Sequence, residues 1–158
     1  MSDVEPKDDC ERLLKQYEIY VEMADRTSAR RGETNKFYVT LLTGFLALIA
    51  LAFEKSWFQQ YQNQVLIVAA GLGFGLCVLW FLNIRSYKLL NASKYKVIHQ
   101  IEQRLPYACF DCEWSELGEG KSVRKYIPMS HIELCVPVLL AIPYLLLLVC
   151  SVYLLVSP

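Results

Sequence analysis

The sequence predicts an all-α membrane protein, with three transmembrane helices, an amphipathic N-terminal helix and a cytosolic helical extension of the second span. The main observation is that three long stretches contain no charged residue: 37–53, 65–84 and 134–156. A bilayer core of roughly 30 Å is crossed by about 20 helical residues at about 1.5 Å each. A soluble helix instead spaces its apolar residues along one face. Three such runs in 158 residues therefore indicate three spans.

The distribution of lysine and arginine is the second observation, and it predicts the topology. Residues 1–36 carry seven of them, the loop 54–64 carries only Lys55, and residues 85–133 carry eight. Because cytoplasmic loops are enriched in these residues, the N-terminus and the 85–133 segment are predicted to be cytoplasmic. The C-terminus is then periplasmic. The polar, acidic N-terminus lacks the apolar core of a signal peptide, so the first span is predicted to be retained.

The first part of the chain is divided by its apolar pattern. Residues 1–36 are predicted to form a cytosolic amphipathic helix, because apolar residues recur there at steps of three or four. The first span is predicted over 37–58, with Trp57 and Phe58 in the headgroup zone, where aromatic residues are enriched. An outer turn follows at 59–64.

The second span, 65–84, has no stop signal at its end. Helical spacing continues over 85–105 until Pro106, which predicts one helix that leaves the membrane and extends into the cytosol. A short outer turn joins the first two spans. The extension is therefore expected to lie antiparallel to the N-terminal helix, with the two apolar stripes facing each other.

The segment 106–133 is predicted to be a compact cytosolic loop, with a short hairpin around Gly118–Gly120. It ends in a helix-start pattern in which Ser130 can cap and Glu133 can reach back. The third span is predicted over 134–156, with Pro137 in its first two turns and a kink at Pro143.

Two short motifs in this segment resemble known sites. Residues 115–122 differ from a phosphate-binding P-loop by one glycine, but the chain lacks the strand and helix that the motif requires. Cys109 and Cys112 have the spacing of a zinc half-site, without the second pair of ligands that a structural zinc site needs. A solvated turn and two cysteines that pack the loop are the preferred interpretations, so no metal and no cofactor are predicted. Cytosolic cysteines are expected to stay reduced.

An enzyme is not predicted. Arg124 and His131 loosely match the arginine–histidine pair of HEPN ribonucleases, but Pro128 would break the single helix that carries such a pair. An HEPN-like ribonuclease remains the less favoured alternative. The net charge of zero gives no reason to expect a nucleic-acid partner.

The spans themselves exclude one class of function and favour self-assembly. Their uncharged runs, 37–53, 65–84 and 134–156, hold no Asp, Glu, Lys, Arg or His, the residues on which ion-coupled transport depends. Gly71 and Gly75 have the GxxxG spacing that lets helices pack closely. We therefore expect a homo-oligomer, although spacing alone does not set its stoichiometry.

Beyond the second span lies an ordered series of residues: Arg85, Asn91, Glu102, Glu113, Trp114, Tyr126 and Glu133. The series resembles the RipA-like family of octameric bacterial inner-membrane proteins, and it is distantly similar to a CRISPR-associated membrane pore. The resemblance implies an octamer in the bacterial inner membrane. Structural packing and a ligand site both remain open as roles for these residues.

The leading functional hypothesis is a homo-oligomeric pore or scaffold in the lipid bilayer, acting as an antiviral-defence effector that perturbs the membrane. Its predicted pore lining consists of Thr40, Thr43, Ser151 and Tyr153, which are polar residues within the apolar spans. The alternative is a membrane-anchored interaction module that binds a cytosolic protein partner.

Overall fold

The computed structural model describes residues 6–55, 59–121, 126 and 128–156. The elements in order are α1 (Pro6–Glu54), a 3₁₀ turn (Gln59–Tyr61), α2 (Gln62–Glu102), α3 (Cys109–Glu116), a second 3₁₀ turn (Gly118–Gly120) and α4 (Met129–Val156). No strand occurs in these residues, so the all-α prediction is confirmed. Trp57 and Phe58 lie outside the described residues.

Three of the helices are long and apolar enough to cross a membrane, and these are α1, α2 and α4. Proline stands at the first position of α1, where its missing N–H has no helical acceptor to lose. In α4, Pro137 and Pro143 lie inside the helix. The membrane-protein class predicted from the uncharged runs is therefore confirmed.

The chain divides into two compact units. The first comprises Met1–Arg31 and Ser86–Met129, and the second comprises Gly32–Arg85 and Ser130–Pro158. Helices α1 and α2 contribute residues to both units, whereas α3 belongs to the first and nearly all of α4 to the second.

In the first unit, the α1 and α2 segments run antiparallel. The Tyr17 hydroxyl donates to the Glu102 carboxylate at 2.9 Å, and the Asn91 amide donates to the Ser28 hydroxyl at 3.0 Å. Going from Tyr17 to Ser28 along α1, the partner in α2 moves back from Glu102 to Asn91, so the two helix segments run in opposite directions. Ile98 is fully buried in this unit. The antiparallel pairing of the two stripes agrees with the sequence prediction.

The second unit has an aromatic core built from all three apolar helices. Its buried cluster consists of Leu42, Cys77, Trp80, Ile84 and Tyr144. The Tyr38 and Trp80 rings stack with centroids 5.6 Å apart. The Trp80 indole N–H donates to Asn35 Oδ1 at 2.9 Å, and the Tyr144 hydroxyl donates to the Leu42 carbonyl at 2.6 Å. The indole N–H of Trp80 and the hydroxyl of Tyr144 therefore both have a partner, as an apolar environment requires.

The structure corrects the prediction of a compact loop with a hairpin. Residues 109–116 are helical, and Gly118–Gly120 forms a 3₁₀ turn instead of a hairpin. Gly118 and Gly120 have φ of 73° and 68°, and Glu119 between them has φ of 54°, so three successive residues are left-handed. Glycine adopts this conformation without steric penalty. The glycines form the turn that the sequence predicts, but this turn follows a short helix and does not connect two strands.

The structure also shifts two helix boundaries. Helix α2 ends at Glu102, where the sequence predicted 105, because the Arg104 and Leu105 N–H groups bond to carbonyls three residues back. Helix α4 begins at Met129, one residue before Ser130. The predicted capping side chain of Ser130 lies outside the described residues.

Candidate functional site

The first unit contains a buried carboxylate that belongs to Glu102. This side chain is 1% exposed. Its Oε1 accepts hydrogen bonds from the Tyr17 hydroxyl and the Phe110 N–H, both at 2.9 Å, and its Oε2 accepts one from the Asp111 N–H at 3.1 Å. A buried carboxylate is stable only when its oxygens are satisfied in this way.

The two amides that Glu102 binds are the second and third N–H groups of α3. This end of the helix has no cap of its own, because Ala108 stands at the N-cap and offers no side-chain hydrogen bond. A carboxylate beside a helix N-terminus satisfies its unpaired N–H groups and complements the helix dipole. Glu102 therefore holds α3 against the end of α2.

Aromatic rings surround this connection. Phe110 lies with its ring centroid 6.4 Å from that of Tyr17 and 5.8 Å from that of Tyr95. His99 Nδ1 lies 3.6 Å from Asp111 Oδ1, an ion pair when the imidazole is protonated. The N-terminal turn of α3 is thus fixed to both neighbouring helix segments.

Glu102 belongs to the series that resembles the RipA-like family, and Tyr17 to the apolar stripe of the N-terminal helix, but no sequence pattern predicted that they bond to each other or that Glu102 caps α3. One signal was available, because Glu102 follows Ile98 by four residues and lies on the same stripe of α2. An acidic residue at an apolar stripe position indicates either a functional carboxylate or a partnered one. The identity of its partners depends on contacts that are distant in sequence.

The outer side of α3 carries exposed groups. Cys109, Cys112 and Glu113 are exposed, and Trp114 is 39% exposed. The Tyr107 hydroxyl donates to Cys112 Sγ at 3.5 Å, and this hydrogen bond raises the pKa of Tyr107. In the part of the chain that the structure describes, no cluster of three or more potential metal ligands is present.

The residues predicted from the family series divide between the two units. Asn91, Glu113, Trp114 and Tyr126 belong to the first unit, and Arg85 and Glu133 belong to the second. Asn91 binds Ser28 and therefore has a packing role, while Tyr126 and Glu133 are half-buried and Arg85 is exposed. His131 is exposed in the first turn of α4, and Arg124 lies outside the described residues.

The predicted lining residues have different environments within the chain. Thr40 and Thr43 are exposed on α1, and the Thr43 hydroxyl donates to the Val39 carbonyl at 2.7 Å. Tyr153 is 69% exposed on α4. Ser151, by contrast, is 2% exposed, so the chain itself covers this hydroxyl. Only the two threonines and Tyr153 are accessible to a channel or a neighbouring molecule.

Helices α2 and α4 approach each other closely at Gly73. A Cβ atom at this position would overlap the ring of Tyr144. At Gly71 and Gly75, the two predicted packing glycines, a Cβ atom would meet nothing within 4 Å. Any close approach at Gly71 and Gly75 would therefore involve another molecule, and the prediction for them stays open.

Together, the three apolar helices and their aromatic core define a multi-pass α-helical membrane protein. The chain belongs to the octameric membrane protein family (8xMP), whose family model matches residues 14–153. This membership makes it an oligomeric membrane protein. Comparisons with curated proteins and with solved structures find no match.

Proposed function

We propose that this chain assembles as a homo-octamer that forms a pore in the bacterial inner membrane. The family match over residues 14–153 carries the proposal, because the family is described as octameric. The helix surfaces support it. In the most apolar windows of α1, α2 and α4, only 6%, 28% and 11% of the residues are buried within the chain. Most of this surface is therefore available to lipid and to other copies.

Helix α1 is the candidate lining element, because it is the least covered of the three and carries two exposed threonines. Thr40 and Thr43 are three residues apart and lie on one face. The Thr43 hydroxyl is satisfied by its own helix, so it tolerates an apolar neighbour yet can contact water. An uncharged lining of this kind gates by dewetting and not by charge.

In the proposed orientation, the N-terminus is cytoplasmic and the C-terminus periplasmic. The support is the distribution of lysine and arginine, with seven in residues 1–36 and eight in 85–133. The proposed biological role is antiviral defence, in which an activated pore perturbs the membrane. That role is supported by the resemblance to the RipA-like family and to a CRISPR-associated membrane pore. The proposal includes no enzymatic activity and no cofactor.

The decisive experiment combines particle symmetry with dye release. Purified protein is imaged in detergent and reconstituted into dye-loaded liposomes. We expect a closed eight-fold ring and dye release that falls at least several-fold in Thr43→Leu, which makes the lining apolar, but not in Thr43→Ser, which keeps the hydroxyl. Monomeric particles in detergent, together with liposomes that retain their dye, would contradict the proposal.

A second candidate function is a membrane-anchored module that binds a cytosolic protein partner. The observation that favours it is the exposure of aromatic residues in the first unit, with Tyr107 67% and Trp114 39% exposed. Exposed aromatic residues are frequent anchors in protein interfaces. In this case Trp114→Ala abolishes biological activity while the oligomer persists. Loss of activity together with the oligomer would argue against it.

A further inference from the structure

Two exposed cysteines lie about one helical turn apart on one face of α3, in the first unit. Cys109 is the first residue of α3 and Cys112 is the fourth. Residues three apart on a helix have Cβ atoms about 5–6 Å apart. A disulfide needs Cβ atoms at about 3.5–4.5 Å, with Cα atoms at about 4.4–6.8 Å. A displacement of roughly 1–2 Å is therefore enough to join the two sulfurs.

The end of α3 allows such a displacement. The Cys112 N–H donates to the Ala108 carbonyl at 3.0 Å, whereas the Cys109 N–H, at the first helical position, has no acceptor within the helix. Glu102 holds the amides of Phe110 and Asp111, which lie between the two cysteines in sequence. Cys109 can thus reorient while the bonds that attach α3 to α2 stay intact.

The surroundings of the two cysteines allow thiol–disulfide exchange with molecules in solution. Both thiols are exposed, so a small molecule in solution can reach them. The Tyr107 hydroxyl, 3.5 Å from Cys112 Sγ, gives that sulfur a polar neighbour that donates a hydrogen bond. Cys10, a third exposed cysteine of the same unit, is not part of a C-x-x-C pair and offers an internal comparison.

We propose that Cys109 and Cys112 form a reversible dithiol–disulfide site that exchanges with small-molecule disulfides. One cysteine thiolate attacks a disulfide RSSR, which forms a mixed disulfide and releases one RSH. The second cysteine sulfur attacks the protein-side sulfur, which closes the Cys109–Cys112 bond and releases the second RSH. The protein loses two protons and two electrons, and RSSR gains them. This chemistry does not depend on whether the oligomer conducts.

The test uses the full-length protein in detergent, equilibrated with glutathione and glutathione disulfide at a series of ratios. After thiol alkylation, non-reducing peptide mass spectrometry measures each cysteine. We expect Cys109 and Cys112 to be oxidised together within one chain, without a glutathione adduct, and to be restored by excess glutathione. Cys10 in the same sample should carry the adduct instead.

Single substitutions separate the pair from two independent thiols. In Cys112→Ser, Cys109 should accumulate at least tenfold more glutathione adduct than in the unsubstituted protein, because the resolving thiol is gone. Cys109→Ser should do the same for Cys112. Equal adducts with and without the partner, thiols that stay reduced at every ratio, or disulfides only between chains would each overturn the proposal.

Discussion

The ring of Tyr144 in α4 lies directly against the backbone of Gly73 in α2. A Cβ atom at position 73 would overlap Cε1 and Cδ1 of this ring. Tyr144 is fully buried, and its hydroxyl donates to the Leu42 carbonyl of α1 at 2.6 Å. One side chain thus joins all three apolar helices, and it can do so because residue 73 has no side chain.

Gly73→Ala is therefore expected to destabilise the protein. The added methyl group must displace a buried aromatic ring, and overpacking of this kind costs about 1–3 kcal/mol. Gly44→Ala is the matched control, because nothing lies within 4 Å of a Cβ atom there and alanine is the better helix former. Thermal unfolding in detergent measures both. Equal melting temperatures for the two variants would contradict the contact.

The hydrogen bond between Asn35 and Trp80 supplies a second prediction. Trp80 is 1% exposed and donates its indole N–H to Asn35 Oδ1 at 2.9 Å. Asn35→Ala leaves this buried donor unpaired, which is expected to cost about 1–3 kcal/mol. The double variant with Trp80→Phe tests the cause, since it removes the donor as well. In a double-mutant cycle, adding Asn35→Ala to Trp80→Phe should then cost much less than adding it to the unsubstituted protein.

Glu102→Ala is expected to release the N-terminal turn of α3. The change leaves the Phe110 and Asp111 amides and the Tyr17 hydroxyl without their acceptor. A fully buried donor left unpaired costs about 1–3 kcal/mol, and these part-buried donors are expected to lose less than that each. Hydrogen exchange should therefore accelerate at residues 109–116 by at least tenfold. Glu116→Ala, at an exposed position at the other end of α3, is the control that should leave exchange at its first turn unchanged.

Assembly is the subject of a fourth prediction. Gly71→Leu with Gly75→Leu should reduce the oligomer mass measured by native mass spectrometry, because both positions are open within the chain and GxxxG spacing favours contact between helices. The fold of the single chain should persist, as judged by an unchanged circular dichroism spectrum. An intact octamer in this variant would place the subunit interface elsewhere.

Much of the membrane architecture could be predicted from local patterns. A span depends on the length of an uncharged run, so three such runs predict the three apolar helices without any knowledge of their contacts. The antiparallel pairing of the α1 and α2 segments followed from the short connection between the first two spans. The candidate site could not be predicted from local patterns, because the role of its central group, Glu102, depends on partners 85 and 8 residues away in sequence.

The sequence by itself therefore determined the class of this protein and the extent of its apolar helices, because hydrophobicity acts residue by residue along the chain. Only the tertiary structure decided where helix α3 forms and how the three apolar helices contact one another. Helix α3 is only eight residues long, and the group that caps its N-terminus is the Glu102 carboxylate of α2, so no pattern within 109–116 predicts the helix. The choice of Gly73 over Gly71 and Gly75 as the contact with Tyr144 depends on where α4 packs, and all three glycines look alike in sequence.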